Sequence, residues 1–217
     1  MDGTGTRVNP RRAYDARRRQ DQARRNRDAV IGSAERRFLR EGYATTTIAA
    51  IADDAGVSVH TIYKSFGGKP GLIRAIRTKA LEGQGPVPAE QRSDEMQAAE
   101  TDPRRILEGW GALTAEVAPR VAPSLLLIRD AATTDAEVRT LLAELDDDRL
   151  RRMRINARRL RDGGHLRPGI GLARCTDLLW TYSSPELYEL LVVRRGWTAR
   201  RFGTFVADAL IDALLPD

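Results

Sequence analysis

The sequence predicts an all-α fold. Three observations carry this. Apolar residues recur at steps of three and four in one segment after another, the period of a helix with one buried face. No stretch alternates apolar and polar residues over strand length, as a half-buried strand would. Glycine, proline and hydroxyl residues fall between the periodic segments, where helices start and stop.

The elements follow in order. Residues 1–20 are rich in arginine, lack apolar periodicity and read as a basic flexible arm. From about residue 21, Val30, Ala34 and Phe38 mark a helix that Gly42 stops. Thr45-Thr46-Thr47 offers hydroxyl caps for a helix carrying Ile48, Ile51, Ala52 and Ala55. Gly56 breaks it, and Ser58 caps the next, whose apolar set is Val59, Ile62, Tyr63 and Phe66. Gly67-Gly68 ends that one. Lys69-Pro70 opens a fourth helix through Leu72, Ile73, Ile76 and Ala80. Residues 83–102 are polar, begin with Gly and Pro, and read as a linker between domains at 21–82 and 103–217. Beyond it, Asp102-Pro103 starts a helix to about Val117. Pro119 and Pro123 bracket a corner, and residues 124–133 form a short apolar helix. A long charged helix ends at Gly163-Gly164. Helical segments at 171–183, 185–194 and 199–215 close the chain; Ser183-Ser184-Pro185-Glu186 opens the second with Ser and Glu spaced as a capping box, and Thr198 caps the last.

Composition limits what this fold does. With 41% hydrophobic and 30% charged residues in 217, the chain suits neither wholesale disorder nor a membrane protein. The N-terminus has no apolar core of a secretory signal, so the expected compartment is the cytoplasm. Cys175 is the only cysteine, and His60 and His165 lie far apart. No metal site, cofactor motif or catalytic constellation is expected. Cys175 reads as a core residue on a stripe with Leu172 and Leu179.

Charge is distributed unevenly. Residues 1–82 hold 17 Lys/Arg against 9 Asp/Glu, and residues 83–217 hold 19 against 21. One basic end on a near-neutral remainder suggests a polyanionic partner. The helix pair in residues 47–66 is more specific. Ala52 sits where two short helices cross, Gly56 makes the turn, and Ile62 plugs the junction. That spacing suits a helix-turn-helix.

The string GYATTTIAAIADDAGVSVHTIYKSFGGKPGL resembles the DNA-binding domain of the TetR family of bacterial transcriptional regulators. Ser65 departs from the His or Tyr usual there, and Pro70 from the usual Glu. The resemblance implies an N-terminal three-helix DNA-binding domain and a C-terminal helical bundle for ligand binding and dimerisation. It assigns DNA contacts to Thr47, Ser58, Val59, His60, Thr61, Tyr63, Lys64 and Lys69. His60 suits a base edge and Val59 a thymine methyl. Thr61 and Tyr63 are similar to the family's phosphate-binding hydroxyls, and Thr47 offers its N–H to a phosphate. Lys69 is a cation at a helix N-terminus, opposing the dipole, which a phosphate there would explain.

In the second half, Trp110, Leu127, Arg129, Met153, Trp180 and Tyr182 are candidate lining residues for an effector cavity. Leu179, Phe202, Phe205, Val206, Leu210 and Leu214 form apolar stripes expected to pair across a two-fold axis as a four-helix bundle. The expected function is therefore a homodimeric, sequence-specific regulator, a repressor released from a palindromic duplex operator by a small-molecule effector. The competing readings are an effector-independent or architectural DNA-binding regulator, and a small helical enzyme or binding protein with a basic surface.

Overall fold

Among the described residues, six polar side chains start helices. Thr47, Ser58, Asp102, Asp135, Ser184 and Thr198 each accept a backbone N–H of the first turn that follows them, satisfying a donor that has no partner within the helix. The computed structural model describes residues 10–83 and 87–216, with side chains from residue 18 onward. The helices are α1 (Pro10–Glu41), α2 (Ile48–Ala55), α3 (Val59–Phe66), α4 (Lys69–Glu82), α5 (Ala89–Ala99), α6 (Pro103–Ala131), α7 (Ala136–Asp162), α8 (Leu172–Tyr182), α9 (Pro185–Tyr188) and α10 (Ala199–Leu214), with a π-helical segment at Glu189–Arg194. The chain divides into two compact units between Leu72 and Ile73, inside α4.

In the first unit, Val30, Ile31, Ala34 and Phe38 of α1 are buried together with Tyr43, Ile51, Ala52, Ile62 and Leu72. Gly56 closes α2 in the left-handed conformation, at φ +65°, which a side chain would resist. Arg37 on α1 binds Asp54 on α2 through two hydrogen bonds, 2.6 and 2.9 Å. The same guanidinium reaches Glu41 at 3.1 Å. These bonds hold Asp54 below the usual carboxylate range, the hydrogen bond from Arg37 being the largest cause.

The second unit is built on α6. Ile106, Leu107 and Trp110 of α6 share a core with Leu160 of α7, Cys175 and Leu179 of α8, and Phe202, Val206, Leu210 and Leu214 of α10. Helices α6 and α10 meet backbone to backbone. A Cβ added at Gly111 would lie 2.5 Å from the Gly203 carbonyl, and one at Gly203 would lie 2.7 Å from the Ala115 methyl. Only glycine permits that approach. By length and composition α6 could cross a membrane, but Ile106, Leu107 and Trp110 on it face this core.

Four expectations change. Residues 10–20 of the arm belong to α1; arginine is a good helix former, so the helix persists where no buried stripe marks it. Residues 1–9 lie outside the described part. The 83–102 segment carries α5, held by a bidentate Arg92–Glu116 pair at 2.8 Å and by Trp110 Nε1 donating to Ser93 at 3.1 Å. Its polar composition reflects an exposed helix face rather than a hinge. Pro119 and Pro123 make no corner: both lie inside α6. Each removes one backbone donor, yet α6 runs unbroken through both. Residues 185–194 begin as an α-helix and widen into the π-helical segment, where Glu189 binds Arg129 at 3.1 Å and Arg194 at 2.8 Å.

The expected dimer stripe also faces inward. Leu179, Phe202, Val206, Leu210 and Leu214 are buried within this chain, because α6 and the other helices of the second unit cover the stripe. Of that set only Phe205 is half-buried.

Candidate nucleic-acid interface

Helix α3 is eight residues long, and Ile62 is its only fully buried side chain. Gly67 ends it at φ +76°. Val59 and Tyr63, which the apolar pattern assigned to packing, are 39% and 53% exposed. His60 and Lys64 are exposed beside them. One face of α3 therefore presents an imidazole, an ammonium, a phenol and a branched alkyl group. Those are the donor, acceptor and apolar groups that base edges and phosphates accept.

The hydroxyls at the helix starts are occupied. Thr47 Oγ1 accepts from Ala50 N at 3.2 Å. Ser58 Oγ accepts from Thr61 N at 3.1 Å and shares a proton with Thr61 Oγ1 at 2.8 Å. What these caps leave for an anion is backbone N–H at the starts of α2 and α3.

Lys69 departs from its expected role. Its Nζ donates to the carbonyls of Tyr43 at 2.7 Å, Thr46 at 3.2 Å and Ala44 at 3.5 Å. It also lies 4.4 Å from the centre of the Tyr43 ring. A cation at a helix N-terminus is costly alone, and here backbone carbonyls answer it.

The second unit contains a cavity of about 200 Å³. Trp110, Met153 and Tyr182 line it, as expected; Leu127, Arg129 and Trp180 do not. Arg129 is instead paired with Asp130, Glu186 and Glu189. Trp180 stacks under the Arg149 guanidinium, 4.5 Å from ring centre to Cζ. The cavity wall also includes Arg77, Arg149 and Arg152, which the apolar pattern did not flag. A signal was available: Arg149, Arg152 and Asn156 fall among Leu145 and Met153 at helical spacing on one face of α7.

Cys175 is fully buried, and burial pushes its thiol up to about 11. It is a packing residue rather than a nucleophile.

Residues 30–76 match the model of the tetR family of bacterial regulatory proteins. Over 60 residues the chain is 42% identical to the HTH-type transcriptional regulator TtgR of Pseudomonas putida, covering 28% of this chain and 29% of TtgR. The match thus spans less than a third of that relative's length. Solved structures agree over more of the chain. The complex of triclosan with SmeT, a repressor from Stenotrophomonas maltophilia, has a TM-score of 0.68 at 21% identity, covering 88% of this chain and 92% of SmeT. FadR of Bacillus subtilis in complex with stearoyl-CoA has a TM-score of 0.66 at 17% identity, covering 84% and 96%. At these identities the likeness is one of fold. The stretch that matches in sequence holds the exposed helix and its glycine turn, so it is residues 30–76 that are similar to the tetR family of bacterial regulatory proteins.

Proposed function

We propose that this chain is a cytoplasmic, sequence-specific regulator that binds a palindromic duplex operator as a homodimer and is released by a small-molecule effector. The observation that carries the reading is the outward face of α3. Val59 and Tyr63 are large groups left in solvent on a helix with a single buried anchor. In the major groove they gain contacts that they lack in the free protein. His60 reads a base edge, Val59 meets a thymine methyl, and Tyr63, Thr61 and Lys64 meet phosphates. The N–H groups at the starts of α2 and α3, around Thr47 and Ser58, add two more phosphate positions.

Dimerisation falls to the face that the core leaves over. Leu178 and Tyr182 of α8, with Phe205, Ala209 and Ala213 of α10, are half-buried. Two copies of that face pair as a bundle. Effector release is supported by the cavity, and α4 carries Lys69 in the first unit and the cavity-lining Arg77 in the second. A ligand-sized cavity favours this reading over effector-independent binding.

The test is selection of bound duplexes from a random pool by the full chain. An enriched inverted repeat with half-sites about one helical turn apart is expected. A pool that never converges rejects the reading.

A further inference from the structure

The charges around the cavity are unbalanced. Arg77, Arg149 and Arg152 line it, against one carboxylate, Glu90. The rest of the wall is mainly apolar, with Leu113, Val117, Val121, Leu125 and Phe202. All three guanidinium side chains are withdrawn from solvent, at 17%, 13% and 14% exposure. Their carboxylate partners differ in quality. Asp94 binds Arg152 at 2.6 Å, but Asp94 is shared with Arg159 at 2.5 Å. Asp148 is 3.6 Å from Arg77, beyond hydrogen-bond reach. Asp146 is 3.4 Å from Arg149. Arg149 otherwise donates to neutral acceptors, the Trp180 carbonyl at 2.5 Å and Ser183 Oγ at 3.1 Å.

Burial pulls the Arg149 guanidinium below its ordinary value; the Asp146 and Glu186 carboxylates oppose this without cancelling it, and the charge of Arg77 adds to it. A half-buried cation with weak counter-charge gains from an anion. An anion also lessens the repulsion between the arginines.

We propose that this cavity binds an amphipathic anion, with an apolar body against the α6 and α10 wall and an anionic head at Arg149, flanked by Arg77 and Arg152. The proposal rests on the effector-release reading only for the consequence of binding, not for binding itself. A fixed fork of donors suits a carboxylate or a phosphate equally, so the shared chemistry is the anionic head. A quaternary ammonium of the same length meets three like charges and is refused.

The experiment is calorimetric titration of the full chain with four probes of equal chain length: decanoate, decyl phosphate, decanol and decyltrimethylammonium, each below its micelle concentration. At least one anion is expected to bind about tenfold or more tighter than decanol, with the ammonium weakest. Preference for decanoate or for decyl phosphate identifies the head. Arg149→Met is expected to erase the anion's margin while decanol still binds. Arg77→Met narrows the margin and serves if Arg149→Met does not fold. Equal binding of all four, binding of none, or a margin that survives both substitutions overturns the proposal. Operator retention is followed in the same samples. Anion-selective binding that leaves the operator bound supports this inference while counting against effector release. Operator release by decanol or the ammonium, with no preference for either anion in binding, overturns this inference and leaves effector release standing.

Discussion

Lys69 Nζ donates to the carbonyl of Tyr43 at 2.7 Å and lies 4.4 Å from the centre of the same residue's ring. The Tyr43 ring in turn packs on Phe38, 5.3 Å between centres. One ammonium therefore joins the first turn of α4 to the turn that precedes α2 and, through Tyr43, to α1. The residue that looked most like a phosphate ligand is a cross-brace of the first unit.

Lys69→Met should therefore lower stability rather than act on DNA alone. It removes hydrogen bonds from a charged donor, worth about 1.5–3 kcal/mol. Thermal unfolding checks this. Lys64→Ala is the contrast: it should leave the melting temperature alone and make the salt dependence of DNA binding shallower. Unchanged melting of Lys69→Met with a shallower salt slope would restore the phosphate role.

His60→Ala should cost about 1–3 kcal/mol at one base position and relax preference there. Binding to operators varied one pair at a time reads this directly. Affinity that drops equally on every sequence would make His60 a backbone contact.

The Arg37–Asp54 pair predicts acid sensitivity in the first unit. Asp54 is held low chiefly by the Arg37 hydrogen bond, and Glu41 chiefly by its hydrogen bond from Arg40. A carboxyl lowered by folding stabilises fully above its unfolded pKa and loses that contribution as pH falls through the folded value. The loss thus begins as pH falls through the ordinary carboxylate value and is complete only below the lowered folded one, and neutral pH lies on the plateau. Asp54→Asn should flatten stability against pH below about 4 and lower it on the plateau. Denaturant unfolding across that range tests it; an unaltered acid slope removes Asp54 from the account.

Val206→Arg and Phe205→Arg should part company. Val206 is 3% exposed in the core, so a charge there is unpaired and costs several kcal/mol. Loss of helix by circular dichroism is expected. Phe205 is only half-buried, against Tyr182 and Trp197. Phe205→Arg should keep the helix content and sediment as a monomer. A dimer that persists moves the interface off this face.

Where local chemistry sets the structure, the sequence displayed it. Thr47, Ser58 and Thr198 cap the helices they were expected to cap, because a hydroxyl reaching the first turn of its own helix is a local event. Gly56 turns the motif for a reason confined to one dihedral angle. Misreadings occurred where distant residues decide. An apolar stripe says that a face is buried but not by what, so Phe202 and Leu210 looked like a seam although α6 already covers α10. Pro119 and Pro123 looked like breaks, but α6 runs through both, which their own local chemistry does not announce. Arg77 and Arg149 are far apart along the chain, and only folding brings both to one cavity.

The Gly111–Gly203 crossing gives the cavity unequal walls. Trp110 and Thr114 on α6, with Phe202 and Val206 on α10, flank the point where the two backbones touch. No side chain there can yield, so that end behaves as a rivet. Farther along α6, Val117, Ala118, Val121 and Ala122 line the cavity around Pro119 and Pro123, where the helix lacks two backbone donors and bends more readily. A guest too wide at the rivet would find no room, whereas one too long would press on the compliant stretch. For any guest of the proposed kind, the cavity would therefore discriminate by girth more than by length.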